Sequence, residues 1–410
     1  MKTVTVRGGT PLVGRTYISG SKNAALPMLF ATMITGDVSR IRALPNIGDV
    51  RVAIDILRSL GADVRFNGDE CLIDTARLSY TEPSEEQTRA IRASTYLIGA
   101  CLSRFGVCRL TGFGGCGFAA RPIDMHVDAC LALGARLEGD TLFCDGLRGG
   151  EIRLRLPSVG ATVNSLMLAV SAVGESRIYG YAREPHVRAL IDFLRSAGAD
   201  ITETDEYICV SPRPLHGADI TVVGDMIEAG TYLAAGLITD GRVEVRGCPV
   251  GHMDAFFDFL GYLGANVSVH GDSAFAEYKK TPRRAFVKAE PYPGFPTDLQ
   301  PISAVLMAKA RGGSIRDTVF PTRFGYLAPL RSFGVRSEIV SDGCEITPSV
   351  LRASEASSPD LRGGAALLLA ALGAPGESRI HSAELILRGY ENLDIKLRSL
   401  GADININSDL

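Results

Sequence analysis

The strongest constraint on this chain is a phrase that it uses six times. An amphipathic run closes on Leu57-Arg58-Ser59-Leu60-Gly61 and passes into Ala62-Asp63-Val64. Variants of the phrase recur around Gly134, Gly198, Gly264, Gly334 and Gly401, at intervals of roughly 64 to 73 residues. A glycine directly after an amphipathic run suits the left-handed conformation that ends a helix. The residues after it, such as Asp63 to Phe66 and Asp403 to Ile406, read as a strand. One helix-and-strand unit is therefore used six times.

A second phrase precedes each copy. A polar group opens a run that is apolar nearly all round, and that run ends near glycine before the next strand. The polar openings are Lys22-Asn23, Arg92, Ser158-Val159-Gly160, Asp225 with Glu228, Asp298, and Asp360-Leu361-Arg362. A helix with no polar face has to be buried. The expected fold is thus α/β and inside-out, two domains of three βαβ-type repeats each, with helices inside and sheets outside. Each helix start would present unpaired N–H groups and a positive dipole end, so six of them converging on one cleft would favour a polyanion.

Composition narrows the class. With 46% apolar residues the chain can fill two cores, and a net charge of −3 gives no case for nucleic acid or an anionic membrane surface. The longest apolar runs, Leu26 to Ile34 and Ala365 to Leu372, are too short to span a bilayer, and the start of the chain alternates like a strand rather than a signal peptide. Nine cysteines lie singly with no C-x-x-C, which points to reduced thiols in a cytoplasmic protein without disulfides or zinc. Eight of them read as buried filler. His186, His216, His252, His270 and His381 show no metal spacing. The sequence does not reveal the oligomeric state, and a monomer is favoured.

The exception among the cysteines is Cys116, in the run from Gly112 to His126 that mixes glycines, a thiol, Arg121, Asp124 and an imidazole. Beside an arginine and a helix start, its thiolate would be stabilised. The helix that follows is expected to carry Pro122 in its first turn and an apolar stripe of Ile123, Val127, Cys130, Leu131 and Leu133. Gly112 to Gly117 also satisfies the G-x-G-x-x-G pattern after a strand, but the delayed helix argues against a dinucleotide site. Arg121, Arg183, Arg323 and Arg388 occupy corresponding loops of their repeats, and at least two of them are expected to bind an anion.

These residues, with Ile18-Ser-Gly-Ser-Lys22-Asn23, Arg92-Ala-Ser, Pro157-Ser-Val-Gly160, Phe295-Pro-Thr-Asp298-Leu-Gln300, Arg323-Phe, Asp360-Leu-Arg362 and Arg388-Gly-Tyr390, resemble the UDP-N-acetylglucosamine 1-carboxyvinyltransferases along the whole chain. The resemblance implies an inside-out α/β barrel of two domains, residues 22–223 and residues 1–21 with 224–410. It implies transfer of the enolpyruvyl group of phosphoenolpyruvate to the 3-hydroxyl of UDP-N-acetylglucosamine, at the entry to peptidoglycan precursor synthesis, with no cofactor or metal. Phosphoenolpyruvate would be held by Lys22, Asn23, Arg121 and Arg388. The sugar nucleotide would meet Asn23, Arg92, Arg121, Pro122, Ile123, Asp124, Ser158, Val159, Gly160, Asp298 and Val319. Cys116 would be the proton donor and the thiol alkylated by fosfomycin, Asp298 would face the acceptor hydroxyl, and His126, Arg323, Asp360 and Arg362 would support them.

The chemistry explains the set. A hydroxyl adds to C2 of phosphoenolpyruvate while C3 takes a proton, and the ketal then loses phosphate, which calls for an acid, a base and cations placed in advance. Asp298 also suits a simple helix cap, and the residues alone leave both readings open. Met226 and Leu387 depart from the charged residues usual in such proteins at those positions, and Leu156 replaces a basic residue found in some of them. These departures keep two alternatives in view, another nucleotide acceptor and a non-catalytic sugar-nucleotide sensor.

Overall fold

The computed structural model of the chain describes residues 2–110, 112–113, 122–278 and 282–408. Among them, residues 20–223 form one compact unit, and residues 2–19 with 224–408 form another. Each is built round three buried helices: α1 (Lys22–Thr35), α2 (Leu97–Phe105) and α3 (Val159–Val170) in the first, α4 (Met226–Ile238), α5 (Gln300–Lys309) and α6 (Leu361–Gly373) in the second. Every residue of α4 from Ile227 onward is buried, as is α6 from Arg362 to Leu372. The three helices of each unit pack on one another and small sheets cover them, which is the inside-out α/β arrangement.

Each inner helix feeds a strand, an outer helix and then a hairpin. After α1 come Val38–Arg42, the helix Gly48–Ser59, and the hairpin Asp63–Asn67 with Glu70–Asp74. A parallel edge strand, Asp219–Thr221, completes that sheet. The outer helices are amphipathic, Pro185–Ser196 burying Val187, Leu190, Ile191 and Leu194 beneath a charged outer face. The glycines of the repeated phrase all adopt positive φ, between 89° at Gly334 and 98° at Gly401. That conformation costs a side-chain-bearing residue energy, so the phrase marks six helix ends that only glycine closes easily.

The sixth repeat lacks one strand of its own hairpin. Lys2–Gly8 supplies it, lying antiparallel between Gly376–His381 and Asp403–Ser408 with Val4 opposite both Ile380 and Ile406. Val13–Tyr17 likewise runs parallel to Arg242–Arg246 as the edge of the fourth sheet.

Several details differ from the sequence reading. The helix after Pro122 begins only at Asp124, so the proline lies ahead of its first turn, and the buried positions are Met125, His126, Ala129 and Cys130, with Leu131 exposed. Arg92 opens a 3-10 turn, Arg92–Tyr96, before α2. Cys209 is partly exposed on a sheet, whereas seven other described cysteines are buried. The strand Val107–Arg109 belongs to an antiparallel sheet, which removes the dinucleotide-site pattern.

The helices approach closely where α2 crosses α3. A Cβ on Gly99 would stand 2.7 Å from Asn164 Oδ1 and 3.0 Å from its backbone oxygen, while the Gly99 N–H donates to that same Oδ1 at 2.8 Å. Gly99→Ala should therefore overpack the crossing and cost about 1–3 kcal/mol. Urea unfolding checks this, and an unchanged midpoint would contradict so close a crossing.

Candidate active site

In the unit of residues 20–223 the polar helix starts carry most of the expected residues. Lys22 is the first residue of α1, and its Nζ lies 3.1 Å from Asp49 Oδ2, both side chains mostly buried. Asn23 follows, and Pro27, four residues on, has no N–H to give to the Asn23 carbonyl. Arg92 is partly buried, which lowers its pKa, and with Arg89, Leu110, Phe113, Pro122 and Ile123 it lines a cavity of about 560 Å³. Asp124, in the first turn of its helix, is held by Arg155, which keeps its carboxyl below the usual range.

Ser158 caps α3, its Oγ accepting from Ala161 N at 3.4 Å. His126 lies against that helix start: a Cβ on Gly160 would come within 2.8 Å of its Cε1 and 3.1 Å of its Nε2. His126 is buried, and Asn164 Nδ2 meets its Nδ1 at 2.6 Å. Burial, helped by the Arg92 charge, pushes its pKa down to about 4. The structure thus brings Arg92, Asp124, His126 and Ser158–Gly160 into one neighbourhood.

In the second unit Asp225 and Asp360 act as caps. Asp225 accepts from the N–H groups of Ile227 and Glu228, and Asp360 from those of Arg362 and Gly363. Asp298 sits in the 3-10 turn Thr297–Leu299, just ahead of α5. Arg323 Nη1 reaches its Oδ1 at 2.8 Å, and Arg362 Nε and Nη2 lie 3.1 and 3.0 Å from its Oδ2. Both guanidiniums are buried. The carboxylate of Asp298 is therefore held by two ion pairs. For Arg362, burial opposes the charge, but Asp298 and the Tyr390 ring hydroxyl outweigh it and raise the pKa. Its Nη1 has no hydrogen-bond partner among the described residues.

Val319 N–H donates at 2.9 Å to Asp317, a carboxyl raised by burial and bonded by Thr297 Oγ1 at 2.5 Å. Arg388 closes the short helix Glu384–Leu387 and is partly buried. Arg183 lies instead on the surface, over Tyr181 and beside Asp205. Glu228 lies deep inside, accepting from Ser19 N at 2.7 Å and from Lys396 Nζ at 2.6 Å, with burial pushing its pKa up to about 7. Cys116 and Arg121 lie outside the described residues. Among the described residues no cluster of three or more metal-ligating side chains occurs, and no helix is long and apolar enough to cross a membrane.

Asp49, Asn164, Arg155, Asp317 and Arg89 escaped the sequence reading. Asn164 had a signal, being a lone amide in an otherwise apolar run, since a buried amide must have partners. Arg155 had none, because it alternates with leucines like any strand residue.

The depressed His126 pKa sets a sign. The unfolded chain binds a proton near pH 6.5 and the folded chain only near pH 4, so stability rises with pH across that window and is lost on acidification. That shift corresponds to about 3 kcal/mol. Urea unfolding of the wild type and His126→Gln at several pH values should show a shallower acid loss in the variant, and parallel curves would contradict a neutral buried imidazole.

Comparison with known proteins gives this geometry a family. The model of the EPSP synthase (3-phosphoshikimate 1-carboxyvinyltransferase) family matches residues 6–397. A protein from Caldanaerobacter subterraneus subsp. tengcongensis named UDP-N-acetylglucosamine 1-carboxyvinyltransferase 3 is 37% identical over 98% of this chain and 99% of its own length. One from Halothermothrix orenii named UDP-N-acetylglucosamine 1-carboxyvinyltransferase is 36% identical over 97% and 98%. Among solved structures, the enolpyruvyl transferase NikO from Streptomyces tendae superposes with a TM-score of 0.90 at 28% identity, over 100% of this chain and 99% of that one. An EPSP synthase from Acinetobacter baumannii, 16% identical over the whole of both chains, shares the fold with a TM-score of 0.75. The chain belongs to the EPSP synthase family of 1-carboxyvinyl (enolpyruvyl) transferases, among relatives named UDP-N-acetylglucosamine 1-carboxyvinyltransferase.

Proposed function

We propose that the chain transfers the enolpyruvyl group of phosphoenolpyruvate to the 3-hydroxyl of UDP-N-acetylglucosamine and releases phosphate, forming a peptidoglycan precursor in the cytoplasm. The observation that carries this reading is identity of 37% with so named a relative over nearly the full length of both chains. The free thiols among the described cysteines suit a reducing compartment. Addition and elimination of this kind move protons and a phosphate group and require no electron carrier.

Lys22, Asn23, Arg121 and Arg388 hold the carboxylate and phosphate of phosphoenolpyruvate, and their charge stabilises the anion as it shifts between addition and elimination. Cys116 gives the proton to C3. Arg92, Pro122, Ile123, Asp124, Ser158, Val159, Gly160 and Val319 hold the sugar nucleotide. Asp298 orients the acceptor hydroxyl. Two guanidiniums on its carboxylate weaken it as a base, so it takes the hydroxyl proton as the new C–O bond forms and that proton becomes acidic. Arg323 and Arg362 keep it ionised, and Asp360 fixes Arg362 by capping α6.

A second reading, transfer to another nucleotide acceptor, is favoured by Met226 and Leu387, which pack on the apolar core of their unit, and by Leu156, which is half exposed. Met226 and Leu387 put apolar side chains where the resemblance implies charged ones, and Leu156 does so where it implies a basic residue in some members.

Phosphate release from phosphoenolpyruvate should depend on added UDP-N-acetylglucosamine and yield a product heavier by one enolpyruvyl group. Release with UMP instead would select the second reading, and no release with either would remove both. Asp298→Asn should lower turnover by about 100-fold or more while thermal unfolding still shows a folded chain. Turnover within threefold of wild type would take Asp298 out of the reaction.

A further inference from the structure

We propose that Asn164 is a positioning residue that fixes the imidazole of His126 as the neutral Nε2–H tautomer, so that an N–H donor faces the start of α3 where the diphosphate of a nucleoside diphosphate binds. The inference rests on the acceptor reading above, which assigns Ser158–Gly160 to the sugar nucleotide.

The orientation of the Asn164 amide is set by two partners of fixed polarity. Its Oδ1 receives the backbone N–H of Gly99 at 2.8 Å, and its Nδ2 donates to the carbonyl of Thr95 at 3.0 Å. Turning the amide over would set N–H against N–H and oxygen against oxygen, so these two bonds exclude the flipped form. The remaining Nδ2 hydrogen points at His126 Nδ1, 2.6 Å away. That nitrogen therefore accepts and carries no proton, and a neutral ring must carry its proton on Nε2.

Protonating the ring would place an N–H on Nδ1 against the N–H of Asn164. The Arg92 cation disfavours a second charge there, and only Asp124 among the facing charges favours one. The ring accordingly stays neutral, with its pKa near 4. Its Nε2 makes no hydrogen bond among the described residues, although the side chain is more than nine-tenths buried. The Cε1–Nε2 edge lies over Gly160, so close that a Cβ there would stand 2.8 Å from Cε1. Gly160 is the second residue of a twelve-residue helix whose first N–H groups have no partner within the helix. The Nε2–H of a buried histidine and a helix start thus point to the same place, and both suit the oxygens of a diphosphate. A neutral donor keeps its proton throughout the physiological range, so the contact would not weaken as pH rises past the ordinary histidine pKa.

Long-range proton–nitrogen NMR of the histidine-labelled full chain tests this, with His126 assigned by the signal missing from His126→Gln. The expected spectrum shows the Nε2–H tautomer of His126 from about pH 8 down to about pH 5.5. Its Nε2 signal should move on adding UDP and stay in place on adding uridine. Asn164→Leu should release the tautomer and weaken UDP binding by about 10-fold, the scale of one hydrogen bond to a charged group, with uridine binding unchanged. Asn164→Asp, whose carboxylate accepts, should move the ring proton to Nδ1 or charge the ring.

An imidazolium or an Nδ1–H tautomer in the wild type at neutral pH overturns the inference, and this spectrum decides even if neither variant folds. UDP binding that leaves Nε2 unmoved overturns the inference alone. Absence of any UDP response overturns the acceptor reading and the inference with it.

Discussion

An apolar helix can bury its flanks but not its start. The first N–H groups of α1 to α6 have no partners inside their own helices, and burying them unpaired would cost more than the surrounding contacts return. At three of the six starts the protein meets this constraint with a side-chain cap. Ser158, Asp225 and Asp360 do so as caps, each with a measurable bond to backbone N–H. The start of α1 has no such cap at Ser21, and there the Lys22 side chain pairs with Asp49. The polar chemistry of both units follows from where the apolar helices begin.

Charge is handled in the same way on both sides of the fold. Asp298, itself partly exposed, is held between the buried Arg323 and Arg362 with an excess of positive charge, and Lys22 with Asp49 is a mostly buried pair. Charges removed from water this far are seldom the best route to stability, and an apolar substitute of equal volume often does as well. In the proposed reaction they would hold donors at fixed positions, so that a negatively charged reactant meets dipoles that need not reorganise.

The repeat was legible because its signal is steric. Gly61, Gly134, Gly198, Gly264, Gly334 and Gly401 share one backbone conformation, and that requirement writes the same residue at each helix end. Helix burial was legible for a similar reason, since runs such as Ala365 to Leu372 have no polar face to expose. Boundaries were less so: Pro122 looked like the first turn of a helix that starts two residues later. The partners of the polar residues were not legible at all. That Asp298 would be gripped by Arg323 and Arg362 depends on contacts between residues 25 and 64 positions apart, and no local pattern encodes them.

The order of the chain adds a last consequence to the way its first strand is used. Lys2–Gly8 is paired on both edges by segments that lie more than three hundred residues later. On a ribosome this strand emerges before either neighbour and must wait for more than three hundred further residues to pair. Residues 20–223, in contrast, contain every strand of their own three sheets and have them all well before synthesis finishes. The unit holding Asp298 is thus the later of the two to become complete, and its opening strand stays available to chaperones or to mispairing for longest.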